Sequence, residues 1–262
     1  MSNKLLARSP LAVPTVALFL ATGIGTVGIL GALFAGHLAL PLAAGAMVVL
    51  SFVAFTPMHD SAHRAVGRAP WLNGLIGRVC ATILLVPYGA FRHIHLTHHR
   101  YTNDPERDPD LYSGTGASWQ LPFRWMTQDL YYYVRYVQAG RPAAELLEAA
   151  FTVVGLIALV TTLGLSFGWT PVLLGWVLPT RLAVTFLAFA FDYLPHHPHA
   201  VPAAEDPYQA TRVIDRPWLT PVLLFQNYHL IHHLYPAIPF YRYAKVWRAK
   251  RSELLAKGVR VT

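Results

Sequence analysis

Residues 9–58 read "SPLAVPTVALFLATGIGTVGILGALFAGHLALPLAAGAMVVLSFVAFTPM", fifty positions without one Asp, Glu, Lys or Arg. About 20 consecutive apolar residues cross a bilayer's hydrocarbon core as a helix, so this run holds two spans, with their turn expected at "GHLALP", Gly36 to Pro41. Its length and its continuation into a second span point to retained helices rather than a cleaved signal peptide. The "GIGTVG" of Gly23 to Gly28 matches the dinucleotide pattern GxGxxG, but no strand precedes it, and small residues are expected where membrane helices pack closely.

A second uncharged run extends from Ala149 to Thr180 and continues past Arg181 to Phe191, with "GWTP", Gly168 to Pro171, as its turn. The whole 262-residue chain is 54% hydrophobic and only 13% charged, about half the charge of ordinary soluble domains. The expectation is a single all-α integral membrane domain over residues 1–262, with four transmembrane helices in two hairpins near 11–35, 38–57, 147–168 and 171–192. Residues 58–145 and 193–262 would form a cap. Of 21 Lys and Arg, only Arg181 falls inside a span, and neither proposed turn carries one. Basic loops stay in the cytoplasm, so the cap and the end bearing Lys4 and Arg8 are expected there. The net charge of +8 suits anionic lipid and an acidic soluble partner rather than nucleic acid.

Twelve of the 13 histidines fall in the regions assigned to that face, His37 in the first turn being the exception. "HDSAH" sets His59 and His63 four apart, and positions i and i+4 share a helical face. "HLTHH" (His95, His98, His99) and "HLIHH" (His229, His232, His233) repeat an i, i+3, i+4 spacing that aims three rings from one face. In "FDYLPHHPH", His196 is a fourth candidate, and Asp192 four residues earlier is a ligand or a hydrogen-bonding neighbour. His197 and His199, beside Pro198, read as surface residues, and His93 as pointing away from the cluster. A zinc site closes with four ligands, so nine histidines imply two ions. Imidazole suits iron, zinc, copper and nickel alike; HExxH does not occur, and iron is the most useful occupant for oxygen chemistry.

The carboxylates around these clusters have a role in that scheme. A metal-bound histidine usually gives its other ring nitrogen to a carboxylate or carbonyl, which fixes the tautomer. Asp60, Asp104, Glu106, Asp108 and Asp110 stand close enough in sequence to serve, and Asn227 is a further polar neighbour of the third cluster. The single cysteine, Cys80, allows neither a disulfide framework nor a four-cysteine iron–sulfur cluster. Electrons must come from outside. The apolar segment from Trp71 to Phe91 is expected to lie in the interface or re-enter, with Arg78 snorkelling, because a crossing there would separate the first two histidine groups. "WLTPVLLFQ", Trp218 to Gln226, is too short to cross and should lie there too.

HxxxH, HxxHH and HxxHH, each beside a membrane segment, resemble the three histidine boxes of the membrane fatty acid desaturase and hydroxylase superfamily, over about Met58 to Tyr243. More narrowly, "NDPERDPD", "FDYLPH" and "QNYHLIHHLYPAIPFYRY" resemble the desaturase-like β-carotene 3-hydroxylases of cyanobacterial type. The resemblance implies a non-haem diiron centre held by His59, His63, His95, His98, His99, His196, His229, His232 and His233. It also implies O2 as co-substrate, hydroxylation of a carotenoid ring, and a ferredoxin-like external electron donor. Two departures are Asp192, where related desaturases carry Asn, and His197, where the hydroxylase pattern has Arg. A fatty acyl desaturase and a carotenoid ketolase would use the same iron site. A non-catalytic metal-binding or transport protein would predict ionisable residues within the spans, which are nearly bare. Trp125, Tyr228 and Tyr235 could line a substrate tunnel, although anchoring at the membrane interface is the expected role for most of them.

Overall fold

A computed structural model describes residues 5–262, so Lys4 lies outside the described part. Two helical hairpins dominate it. Helices α1 (Val13–Phe34) and α2 (Leu40–Ala62) form the first, turning at Gly36, whose φ of 74° suits glycine. Helix α6 (Ala143–Phe167) and the composite helix α7 (Trp169–Tyr193) form the second, turning at Gly168 with φ 91°. All four are long and apolar enough to cross a membrane.

Both tips lie at one end: Phe34 stacks on Phe167 at 4.7 Å between ring centroids, and Gly175 admits the side chain of Leu33 where any Cβ would collide. The histidines collect at the other end. Within the first hairpin a Cβ on Gly25 would come 3.0 Å from Leu50, so one glycine of "GIGTVG" is a point of close helix approach and the motif is helix throughout.

The second helix runs to Ala62 instead of stopping near 57, carrying Pro57 inside it, and the third begins at Ala143 rather than 147. Apolar runs mark only the part that lipid surrounds. The helices continue into the cap, where Asp60 accepts from the Phe240 N–H and Glu145 and Glu148 pair with arginines.

Residues 70–101 form two 14-residue helices, α3 (Pro70–Ile83) and α4 (Tyr88–Tyr101), set 104° apart around Leu85 with its positive φ of 58°. At 1.5 Å per residue each spans about 21 Å, too short to cross alone. Helix α5 (Leu121–Gln138) buries Gln128, Tyr132 and Tyr136 and exposes Phe123, Met126, Leu130 and Val134, an apolar outer face suited to the interface. Residues 218–226 give one helical turn, Leu219–Val222, with Trp218 and Val222 exposed. Helices α8 (His229–Leu234) and α9 (Tyr243–Ala256) complete the cap. One amendment to an all-helical chain is a parallel two-residue ladder pairing Arg212–Val213 with Arg260–Val261.

Arg181 is explained by its neighbour. It forms an ion pair with Asp129 of α5 and also donates to the Met126 carbonyl at 2.6 Å, so the one basic residue of the apolar helices is neutralised where α5 crosses α7.

Candidate metal centre

The end of α2 supplies His59 and His63, α4 supplies His95, His98 and His99, the segment after α7 supplies His196, and α8 supplies His229, His232 and His233. All nine converge. The available ring nitrogens of His59, His63, His95, His99 and His232 lie within 4.8 Å of one another, as do those of His98, His196 and His233. His229 joins the second group, its Nε2 standing 3.0 Å from His196 Nε2 and 3.1 Å from His233 Nε2.

This arrangement fits metal. Nε2 atoms face each other in pairs, 2.7 Å for His63 and His95 and 2.8 Å for His99 and His232, in the interior. Donors at about 2.1 Å around a tetrahedral ion stand roughly 3.4 Å apart. Burial holds the pKa of His63, His95, His99, His196, His229, His232 and His233 well below the usual histidine range, and neighbouring rings add to this. Neutral rings keep the lone pair that a cation needs. So many buried imidazoles facing one another would be costly without a shared partner. The two groups have the donor number and chemistry for two ions.

Four of the far ring nitrogens are held by the protein, as is usual for metal ligands, while the Nδ1 atoms of His59 and His196 are buried without a partner. His98 Nδ1 bonds Asp108 Oδ1 at 2.8 Å, and Asp110 Oδ2 stands at 3.4 Å. Burial disfavours a charged His98, yet these two carboxylates outweigh it and raise its pKa to about 9. Asp108 is itself fixed by the Asn103 N–H at 2.6 Å and the Asp110 N–H at 2.9 Å, and Tyr132 donates its hydroxyl to Asp110 at 2.5 Å. His229 Nδ1 meets Gln226 Oε1 at 3.2 Å, His233 Nδ1 meets Thr102 Oγ1 at 3.4 Å, and His232 Nδ1 meets the Tyr243 hydroxyl at 2.9 Å. Gln226, Thr102 and Tyr243 were not singled out from sequence. Thr102 could have been, since it follows His98 by four; Tyr243 lies beyond a proline-broken turn from the ring it supports.

Other candidates have different placements. Asp60 accepts from Thr15 Oγ1 at 2.8 Å and from the Phe240 N–H at 3.3 Å, which ties α1, α2 and the loop before α9 together without touching a ligand ring. Asp104 caps its own loop, accepting from the amides of Glu106 and Arg107. The Asn227 amide donates to the Ile214 carbonyl at 3.1 Å. Asp192 lies outside the converging groups but lines the small chamber beside them. His93 packs against Tyr136, away from the centre, and His37 is exposed in the first turn. His197 is exposed, whereas His199, expected at the surface, is buried: its ring is packed over Gly114, where even one added carbon would collide.

A largely apolar cleft of about 600 Å³, open mouth included, runs between α2, α5 and α7 to this chamber. Met58, Tyr133, Val184 and Ala188 are among its walls, and Phe55, His95 and Asp192 border both cleft and chamber. Trp125, Tyr228 and Tyr235 are not part of it. Trp125 donates to the Ser113 carbonyl at 3.0 Å, Tyr228 lies in the core around α9, and Tyr235 packs under Lys250.

The sequence profile described as fatty acid desaturase matches residues 33–262. The chain belongs to the fatty acid desaturase family. Among its curated relatives, the sn-1 oleoyl-lipid 12-desaturase of Picosynechococcus is 25% identical over 217 residues, covering 72% of this chain and 62% of that protein. The acyl-lipid omega-3 desaturase (cytochrome b5) of the Arabidopsis thaliana endoplasmic reticulum is 27% identical, covering 82% and 64%. The sn-1 acyl-lipid omega-3 desaturase (ferredoxin) of Nostoc is 24% identical, covering 74% and 62%. The chain thus spans rather less than two thirds of the length of these relatives. Four helices long and apolar enough to cross a membrane accompany that family membership.

Within that family assignment, Tyr243→Phe is expected to weaken metal retention about 10- to 100-fold by leaving His232 Nδ1 without its partner. Metal content after dialysis against graded chelator measures this; retention equal to wild type would show that the hydroxyl does not support the ligand.

Proposed function

We propose that the protein is an O2-dependent non-haem diiron oxidoreductase that desaturates the acyl chain of a membrane lipid. The carrying observation is the apolar cleft that ends on His95 and Asp192 beside two histidine groups. The printed activities of the relatives, all acyl-lipid desaturases among those named above, support the acyl substrate over the carotenoid ring. Carotenoid hydroxylation remains a second reading because "NDPERDPD", "FDYLPH" and "QNYHLIHHLYPAIPFYRY" stand intact in the sequence.

His59, His63, His95, His99 and His232 would hold one iron, and His98, His196, His229 and His233 the other. Bound iron supplies the activation of O2 that removes hydrogen from an unactivated C–H bond. The chain's own residues do the rest. Met58, Tyr133, Val184 and Ala188 grip the apolar chain and exclude water, and Phe55 sits where cleft meets chamber and sets how deep the chain reaches. Asp108, Gln226, Thr102 and Tyr243 orient the rings.

The four apolar helices would cross the bilayer, with both tips outside and the histidine end in the cytoplasm, in keeping with the absence of Lys and Arg at the tips. A small acidic carrier would bring electrons there, as ferredoxin and cytochrome b5 do by name for two of the relatives. The deciding experiment expresses the chain in a host that makes both β-carotene and saturated or monounsaturated acyl lipids. New double bonds in the lipids, absent with a His233→Ala variant, are the expected result. Hydroxylated carotenoid with unchanged acyl chains would replace this reading by the second.

A further inference from the structure

On the opposite side of α4 from the cleft is a polar pocket that shares no residue with it and touches none of the nine converging histidines. It is enclosed by the end of α2, by α3 and α4, and by the junction of α5 with α6. Four arginines line it, Arg64, Arg78, Arg92 and Arg141, against two carboxylates, Glu145 and Glu148.

Both carboxylates are already engaged. Arg78 pairs with Glu148 at 2.6 Å, bridging α3 to α6, and Arg141 pairs with Glu145 at 2.6 Å. Four positive charges less two negative leave two over, those of Arg64 and Arg92, which have no carboxylate partner among the described residues. Arg92 is half-buried and uses only its Nε, donating to the Ala62 carbonyl at 3.2 Å, so its two terminal nitrogens are open to a ligand. A half-buried guanidinium gains most from a planar or tetrahedral oxyanion it can grip with two N–H groups. A second polar group also lacks a partner. Asn73 lines the pocket, is 3% exposed, and has no hydrogen bond to its Oδ1, while its Nδ2 is spent on the Gly67 and Ala69 carbonyls.

The flanks are apolar and face outward. On α3, Trp71 and Leu75 are exposed, and on α6, Leu147 and Phe151. A phosphate in the pocket would therefore have greasy surface on both sides, along which two acyl tails could run. Free phosphate needs no such flanks.

We propose that this pocket binds the phosphate of an anionic membrane phospholipid, held by Arg64 and Arg92. The lipid is a resident that braces α3 and α4 against α6 and not the reacting molecule, because its pocket and the cleft lie on opposite faces of α4. The inference needs the chain to sit in a bilayer but is independent of which substrate is oxidised.

The test is native mass spectrometry of the full-length protein from mixed micelles with equal amounts of phosphatidylglycerol and phosphatidylcholine of the same chain length. One phosphatidylglycerol is expected to stay bound in preference by about 10-fold, and that preference should fall to near parity in Arg64→Gln and in Arg92→Gln. The Arg64 side chain is exposed and makes no hydrogen bond, so its variant folds even if loss of the Arg92 link to Ala62 does not permit folding. An unchanged preference in Arg64→Gln, or equal retention of the two lipids by wild type, would overturn the proposal. Displacement of the bound lipid by millimolar inorganic phosphate would overturn the lipid as the ligand. None of these readings requires turnover, so a failed desaturation assay leaves them standing and the reverse holds too.

Discussion

His98→Ala is expected to abolish activity, remove one metal ion per chain and destabilise the fold. Three links lead there. His98 contributes Nε2 to the second group, 3.4 Å from His233 Nε2, and no other ring on that side of α4 can replace it. Losing a mere supporting neighbour costs metal sites 10- to 100-fold, so losing the ligand itself lowers turnover by more than about 100-fold. The remaining effect is on the protein. Asp108 and Asp110 have side chains 0% and 3% exposed, and His98 is the imidazole against which both are placed. Leaving the buried Asp108 carboxylate without the ring N–H it accepts from costs about 1–3 kcal/mol. Metal analysis, thermal unfolding and product formation measure the three effects separately. His93→Ala is the control, since His93 sits beside Tyr136 outside both groups. Two ions retained in His98→Ala would remove that residue from the centre.

Ala188→Trp separates substrate binding from metal binding. Ala188 is buried in the cleft wall and belongs to neither histidine group. An indole there fills the passage between α5 and α7 below Phe55. The overpacking itself costs about 1–3 kcal/mol of stability, and the chain should still fold with wild-type metal content. Product formation, however, should fall about 100-fold on long acyl substrates, because a reacting carbon displaced by even an ångström from its position loses a factor of that order. Retained activity with the cleft blocked would mean that the substrate approaches the histidines by another route.

Eight of the nine converging histidines were legible because helical periodicity writes a shared face directly into spacing, i, i+3, i+4 in two clusters and i, i+4 in the first, and His196 was legible from its place at the end of the last apolar run. The apolar runs were legible for the same kind of reason, since length and lack of charge carry the signal without any tertiary knowledge. What escaped depends on contacts between segments far apart in the chain. Asp60 reads as a neighbour of His59 yet is bonded to Thr15, 45 residues earlier, and to the backbone of Phe240. Tyr243 and Gln226 reach their histidines through turns whose geometry no periodicity encodes. His199 follows Pro198 and reads as exposed, but its ring is buried against Gly114, 85 positions before it. Trp125, Tyr228 and Tyr235 stand out in the sequence as aromatic residues yet do not line the cleft, while Val184, Leu187 and Ala188 look like ordinary lipid-facing positions until α5 is packed over them.

Both histidine groups close on the same late segment: His232 completes one, and His229 with His233 completes the other. A ribosome has therefore already made His59, His63, His95, His98 and His99 when it has some 130 residues still to add before α8 emerges. At 5 to 20 residues per second that delay is on the order of ten seconds. When it begins the first group has four of its five rings, whereas the second has only His98 and falls far short of the donors an ion needs. The donors for a second ion would therefore come together only once the second hairpin and α8 have been made.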